Sequence, residues 1–347
     1  GGPRGSRGGG AAGGFAALWD LLIRPPRRKH DASCFGPSEF LARGVRASRR
    51  DFRLQTRRGT SLACSHFVPR QDIDAEPLQK FPVIVYLHGN SSNRLEAANI
   101  VSALLSRRIA LFCFDAGGCG QSGGEYVSLG WHERDDLASV VEHLRRSPFC
   151  GPIGLWGRSM GAVTALLYVD EDPAVGAMCA DSPFESLSRL AREMAEGGHV
   201  HLRCPSWMIS LVLAIVRLRV QALAGFDLEK IRPREHAERS FIPAIFLHGE
   251  DDTFVAPQHS RDVYNAYAGD KEYFLVEGGH NTRRSDEVVE QVVGFFQRAL
   301  RLDEMNLSVT PEALGLASSL ASTTAAAAAA IAESGDGLLR MRIPPPP

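Results

Sequence analysis

Three short stretches hold residue types that could do acyl chemistry together. Gly157-Arg158-Ser159-Met160-Gly161 sets a serine between two glycines, after the apolar run PIGLWG and before the helix-like run MGAVTALLYV. Asp251 and Asp252 follow the apolar run PAIFLHG, and His280 sits on a Gly-Gly turn after EYFLVEG. A serine hydroxyl is a poor nucleophile until a base takes its proton, and that base must be oriented by an acid. A G-x-S-x-G turn between strand and helix, followed by an acid and then a histidine, is the pattern this chemistry uses. Ser159 is the expected nucleophile and His280 the expected base. Asp252 is the first choice for the acid, with Asp251 and Asp181 (at the end of AVGAMCAD) left open. His88, His143, His199, His201 and His248 are read as structural.

Acyl transfer also needs N–H donors where the tetrahedral oxygen develops. Met160, the residue after the serine, should supply one through its backbone. Asn90, on the loop His88-Gly89-Asn90-Ser91-Ser92, is the expected second donor, also through its backbone. The alternative for that loop is a plain strand-to-helix turn.

Something must hold these loops side by side. Between residues 50 and 300 short apolar runs alternate with helical patterns. DFRLQT and SLACSHFVP flank Arg58-Gly59 and read as an antiparallel hairpin at a sheet edge. PVIVYLH, IALFCFD, PIGLWG, AVGAMCAD, PAIFLHG and EYFLVEG then read as strands separated by helices. Strands apolar throughout, with helices between, predict a parallel sheet covered on both faces. Such sheets carry function on the loops at their carboxyl ends, where all three stretches fall. From Phe184 to Phe241 no strand is predicted. LSRLAREMAEGG and PSWMISLVLAIVRLRVQAL read as helices, either core-packed or forming a lid over a pocket.

The remaining composition narrows the classes. The 347 residues carry 39 Lys+Arg against 40 Asp+Glu, so bulk attraction to nucleic acid is not expected. Seven cysteines, an odd number with no C-x-x-C, read as reduced thiols in a reducing compartment, and no Cys/His cluster has zinc-site spacing. Residues 1–20 are read as low-complexity or disordered, 21–303 as one domain with a helical cap-like segment at 185–240, and 304–347 as a disordered tail. FAALWDLLI is too short to span a bilayer; it is read as a surface helix, with contact to a membrane as the second reading.

Taken together, HGNSS, FDAGGCGQSGG, GRSMG, DSPF, HGEDDTFV and GGHN resemble the α/β-hydrolase superfamily over about residues 50–300. Within it they look most like serine aminopeptidase-like and acyl-protein thioesterase-like members. IRPPR, CSHFVP, EYVSLGWHERDD and GLWGRSMGAVTALLY are also similar to a plant and protist group of such hydrolases, which implies that residues 21–50 pack on the domain. The resemblance implies an α/β-hydrolase fold and a triad of Ser159, Asp252 and His280. Esters and thioesters, the least demanding acyl compounds, suit this apparatus and the apolar 185–240 segment, so a serine hydrolase of these is expected; the resemblance also allows a peptidase, and acyltransferase and non-catalytic scaffold are further alternatives. No cofactor or metal is expected. The expected partner is a small or acylated substrate, without nucleic acid, in the cytoplasm, with weak membrane contact through the N-terminal segment or cap as a further reading. One departure stands out. The superfamily's D-x-R-G-x-G-x-S loop here reads Asp115-Ala116-Gly117-Gly118-Cys119-Gly120-Gln121-Ser122, without the arginine, which puts in doubt any role an arginine has there. Cys119 is read as structural, and facing the site is the alternative.

Overall fold

Where the chain alternates apolar strands with helices, it folds into one nine-stranded sheet. The computed structural model describes residues 19–20, 22–70, 80–196 and 206–305. The strands are β1 (Glu39–Ala42), β2 (Val45–Gln55), β3 (Ser61–Pro69), β4 (Phe81–Leu87), β5 (Ala110–Phe114), β6 (Cys150–Arg158), β7 (Ala177–Asp181), β8 (Ala244–Gly249) and β9 (Lys271–Val276). The helices are α1 (Ala98–Ser106), α2 (Glu133–Arg145), α3 (Met160–Val169), α4 (Leu187–Glu196), α5 (Ser206–Ala224), α6 (Pro233–Ala237), α7 (Pro257–Ala266) and α8 (Asp286–Ala299). The strand order is β1-β2-β3-β5-β4-β6-β7-β8-β9. Pairing from β5 through β9 is parallel, and β1, β2 and β3 extend the sheet antiparallel.

Side-chain alternation along the strands feeds two cores. In β4, Val83, Val85 and Leu87 face the core that holds Leu137, Val140 and Val141 of α2 and all of α3's apolar residues. Ile84 and Tyr86 face the other, with Ile100, Val101 and Leu104 of α1 and Val289, Val292 and Phe296 of α8. Both faces are thus covered, which is why these strands read as unbroken apolar runs. The chain has the α/β-hydrolase fold.

The β2–β3 hairpin forms as expected but does not make the edge. Residues 39–42 add β1 outside it, paired from Glu39↔Ser48 to Ala42↔Val45. Arg43 and Gly44 turn the chain with φ of 45° and 88°, the two left-handed residues a tight hairpin needs. Only four residues long, β1 carries little periodic signal.

Residues from Leu22 to β1 lie on the domain. Ile23 is buried in the core, its carbonyl accepting from the Val127 amide, and Arg27 donates to the Ser122 and Gly124 carbonyls. The 1–20 and 304–347 segments fall almost wholly outside the described residues, as do His199 and His201.

The loop after β5 is held by buried charge. The Asp115 carboxylate pairs with the Arg94 guanidinium at 2.6 Å and accepts from the amides of Arg94 and Gln121. An arginine thus serves this aspartate from the loop after β4 rather than from the loop itself. A Cβ on Gly120 would lie 2.3 Å from the same carboxylate, so the tight loop requires glycine there. Cys119 is buried in the core, and burial pushes its thiol well above the ordinary range.

Nearby, Asp136 accepts from the Gly117 amide through one oxygen, while its other oxygen is buried without a partner among the described residues. Burial, then the neighbouring Glu133 charge, pushes this carboxyl up to about 7. An unfolded aspartate ionises near pH ~3.9, so the folded protein holds the extra proton from there up to about 7. Stability should fall as pH rises through that window, and Asp136→Asn should flatten the fall. Urea unfolding at several pH values measures this. The same decline in both chains would clear Asp136 as its source.

Candidate active site

The site is built where β6 turns into α3. Ser159 takes φ 51° and ψ −115°, outside the regions a side-chain-bearing residue prefers. Packing allows nothing wider. A Cβ on Gly157 would lie 2.2 Å from the Gly161 carbonyl oxygen, and one on Gly161 would lie 2.0 Å from that of Leu87. The strained turn is held from both sides, since the Ser159 amide donates to the Asp181 carbonyl at 2.7 Å and its carbonyl accepts from Val163 at 3.0 Å.

Two further strand ends bring the partners. The loop after β9 places His280 with Nε2 2.9 Å from Ser159 Oγ. The loop after β8 places Asp252 with Oδ2 2.6 Å from His280 Nδ1. Asp252 is buried, and its other oxygen accepts from the amides of Phe254 and Val255. Burial opposes its charge, but hydrogen bonds from His248 and His280 outweigh burial and hold the carboxyl well below the usual carboxylate range. It is therefore an acceptor throughout the neutral range. The Phe254 ring, half exposed, stands 5.0 Å from the His280 ring.

The other acids lie elsewhere. Asp251 is exposed, with its amide on the Gly278 carbonyl. Asp181 is buried and pairs with Arg284 at 2.6 and 2.9 Å. Burial opposes that charge too, yet Arg284 keeps the Asp181 carboxyl low.

Sequence reading missed three residues here. His248, taken as structural, puts Nε2 3.1 Å from Asp252 Oδ2 as well as 2.8 Å from the Val255 carbonyl. Its position four residues before the aspartate on the same strand end was a usable signal. Arg158, inside the G-x-S-x-G turn, donates to the carbonyls of His280 and Thr282 at 2.6 and 2.9 Å and so tethers the histidine loop. Arg284 reaches from the same loop to Asp181, to the Ser182 hydroxyl at 3.1 Å and to the Gly279 carbonyl at 3.5 Å. Neither arginine has a sequence signature. Arg284→Met should strand a buried carboxylate and lower stability by about 3–5 kcal/mol in denaturant unfolding. The double change Arg284→Met with Asp181→Leu should recover most of it; no recovery would mean that the pair does not act as a unit.

The expected oxyanion donors also lie at this end. Met160 opens α3, so its N–H has no acceptor within the helix. The loop after β4 lies against the turn, since a Cβ on Gly89 would stand 3.8 Å from Ser159 Cβ. The Gly89 amide faces the Glu96 carboxylate at 3.3 and 3.4 Å, and Asn90 Oδ1 accepts from the Ser91 amide at 2.9 Å. This leaves the backbone amide of Asn90 as the candidate. His88 pins the loop, donating from Nδ1 to the Gly89 carbonyl at 2.7 Å and accepting at Nε2 from Ala116 at 3.0 Å. Among the described residues, no group of three His, Cys, Asp or Glu side chains is placed to hold a metal ion.

The comparisons agree with this architecture. A family model described as serine aminopeptidase, S33 matches residues 79–195, and one described as serine hydrolase (FSH1) matches residues 214–292. Each match covers less than half of the chain, and both descriptions accord with the α/β-hydrolase fold. The uncharacterized protein YqkD of Bacillus subtilis is 30% identical over 201 residues, 57% of this chain and 64% of that protein, so the match spans less than two thirds of the relative. The lysophosphatidylserine lipase ABHD12 of Danio rerio is 26% identical over 240 residues, 64% of this chain and 59% of that one. The Pyrococcus furiosus esterase Pf2001 shares the fold with a TM-score of 0.61 at 21% identity, over 80% of this chain and 100% of that one.

Proposed function

We propose that the protein hydrolyses a carboxylic ester or thioester through an acyl-enzyme. Ser159 Oγ attacks the carbonyl carbon while His280 Nε2 takes its proton, and Asp252 fixes the tautomer that leaves Nε2 free to do so. The carbonyl electrons move onto oxygen, which the N–H groups of Met160 and Asn90 receive. Collapse expels the alcohol or thiol, which takes the proton from His280. Water, deprotonated by the same ring, then attacks the acyl-serine, and collapse returns that proton from His280 to Ser159 Oγ as the acid leaves.

The observation that carries this reading is the hydrogen-bonded line Ser159–His280–Asp252, at 2.9 and 2.6 Å, on three separate strand-end loops. Two named relatives lend it support, one called an esterase and one a lysophosphatidylserine lipase. The serine aminopeptidase match over 79–195 favours a second reading, cleavage of a peptide bond by the same residues. A fluorophosphonate probe followed by a panel of acyl esters, thioesters and aminoacyl peptides tests both. Probe labelling with ester or thioester turnover is expected. Turnover of peptides alone would replace the first reading with the second. A folded protein that takes no label would sink both.

A further inference from the structure

α5 packs with one face only. Val216 and Val220 are buried, while Leu211, Ile215 and Leu218 stand 53%, 39% and 66% exposed. Together with exposed Ala222 these residues fall at i, i+4, i+7 and i+11, one stripe along the outer side. The helix is fixed in that pose: the Ala224 carbonyl accepts from His132 Nε2 at 3.0 Å, and Arg217 pairs with Asp227 at 2.6 Å.

We propose that this stripe docks the protein on an anionic lipid surface. Three observations select that occupant. The exposed apolar surface amounts to only about two whole leucine side chains, well short of the ~800 Å² per partner of a standard protein interface. A bilayer asks for less, because a helix lying in the headgroup boundary sinks one stripe of side chains. The charged residues of this helix are Arg217, already paired with Asp227, and Arg219, which leaves one net positive charge, the sign that suits anionic headgroups. Finally, the Arg219 guanidinium lies over the Trp19 ring at 5.4 Å. The fold thus sets Trp19, itself half-buried against the core, beside Arg219 of this helix, and tryptophan settles at headgroup level. Among the described residues no single helix is long and apolar enough to cross a membrane.

The test uses the full chain carrying Ser159→Ala, so that docking and hydrolysis are read separately and one can fail without the other. Co-sedimentation would be measured with vesicles of phosphatidylcholine alone and with about one third phosphatidylserine. The expected result is binding to the anionic vesicles, lowered about tenfold or more by Leu211→Ser, Ile215→Ser and Leu218→Ser together. Arg219→Gln should lower it about fivefold on anionic vesicles, the effect of one basic residue near such a surface. Leu218→Glu, a single change at the most exposed position, gives the same reading if the triple variant does not fold. No binding to either vesicle, or equal binding of parent and variants, would overturn the proposal. So would a dimer in solution that the same changes dissociate, since the stripe would then belong to a second copy.

Discussion

Replacing Ser159 by alanine is expected to lower acyl-ester turnover by about 10⁴- to 10⁶-fold and to abolish fluorophosphonate labelling. The fold should survive. Ser159 contributes to packing through its amide, bonded to Asp181, and its carbonyl, bonded to Val163, and alanine keeps both. The hydroxyl's one described partner is His280 Nε2 at 2.9 Å, so its loss leaves no other buried group unpaired. Some rate above water should remain from the N–H donors and from substrate binding. Circular dichroism and unfolding midpoints would confirm that the two chains fold alike. If the alanine chain turns over substrate within tenfold of the parent, the nucleophile is not Ser159.

Asp252→Asn should cost nearly as much, about 10⁴-fold in kcat with little change in KM. The reason lies in how the carboxylate is divided. One oxygen accepts from the Phe254 and Val255 amides, and the other faces both His280 Nδ1 and His248 Nε2. An asparagine would keep its carbonyl on the two amides and turn its NH₂ toward His280. Nδ1 would then have to accept, leaving the proton on Nε2, where the ring could no longer take one from Ser159. Asp251→Asn, at an exposed carboxylate outside this line, should change kcat by less than about twofold. The reverse ranking would transfer the role to Asp251. In the parent, the Asp252 charge is held below the usual carboxylate range. Its contribution to stability is therefore full above the unfolded value of ~3.9 and is lost only as pH falls below that. The carboxylate is not expected to titrate in an activity profile above about pH 4.

Much of this site was legible because its parts obey local rules. The two glycines around Ser159 report a close approach of backbones, and each would clash with a carbonyl oxygen if given a Cβ. Chain order then selected an acid and a histidine at later strand ends, and the structure brings Ser159, His280 and Asp252 within hydrogen-bond reach. What escaped was tertiary pairing. Arg158 meets residues 122 and 124 positions away, and Arg284 meets Asp181 across 103 positions. No periodicity records such partners. β1 was missed for another reason, since four residues with one buried side chain leave almost no pattern. The α5 run shows the limit from the opposite side. Its apolar residues suggested core packing or a lid over a pocket, but hydrophobic content does not say which face finds a neighbour, and only one did.

The sheet order has a consequence for how the protein reaches its native state. β4, β6, β8 and β9 carry the loops that hold Asn90, Ser159, Asp252 and His280, yet β4 pairs with β6 more than sixty residues further on, and β8 must first be reached through β7. Every one of these pairings is parallel and non-local, the kind that forms slowly because chain closure is unfavourable until the contacts are made. Ser159, His280 and Asp252 therefore meet only after the last strand has found its register. During synthesis, a ribosome-bound chain ending before residue 271 has no β9 to carry His280. Such a nascent chain would carry Ser159 with no His280 beside it, so the proposed acyl chemistry would be withheld until the whole sheet is in place.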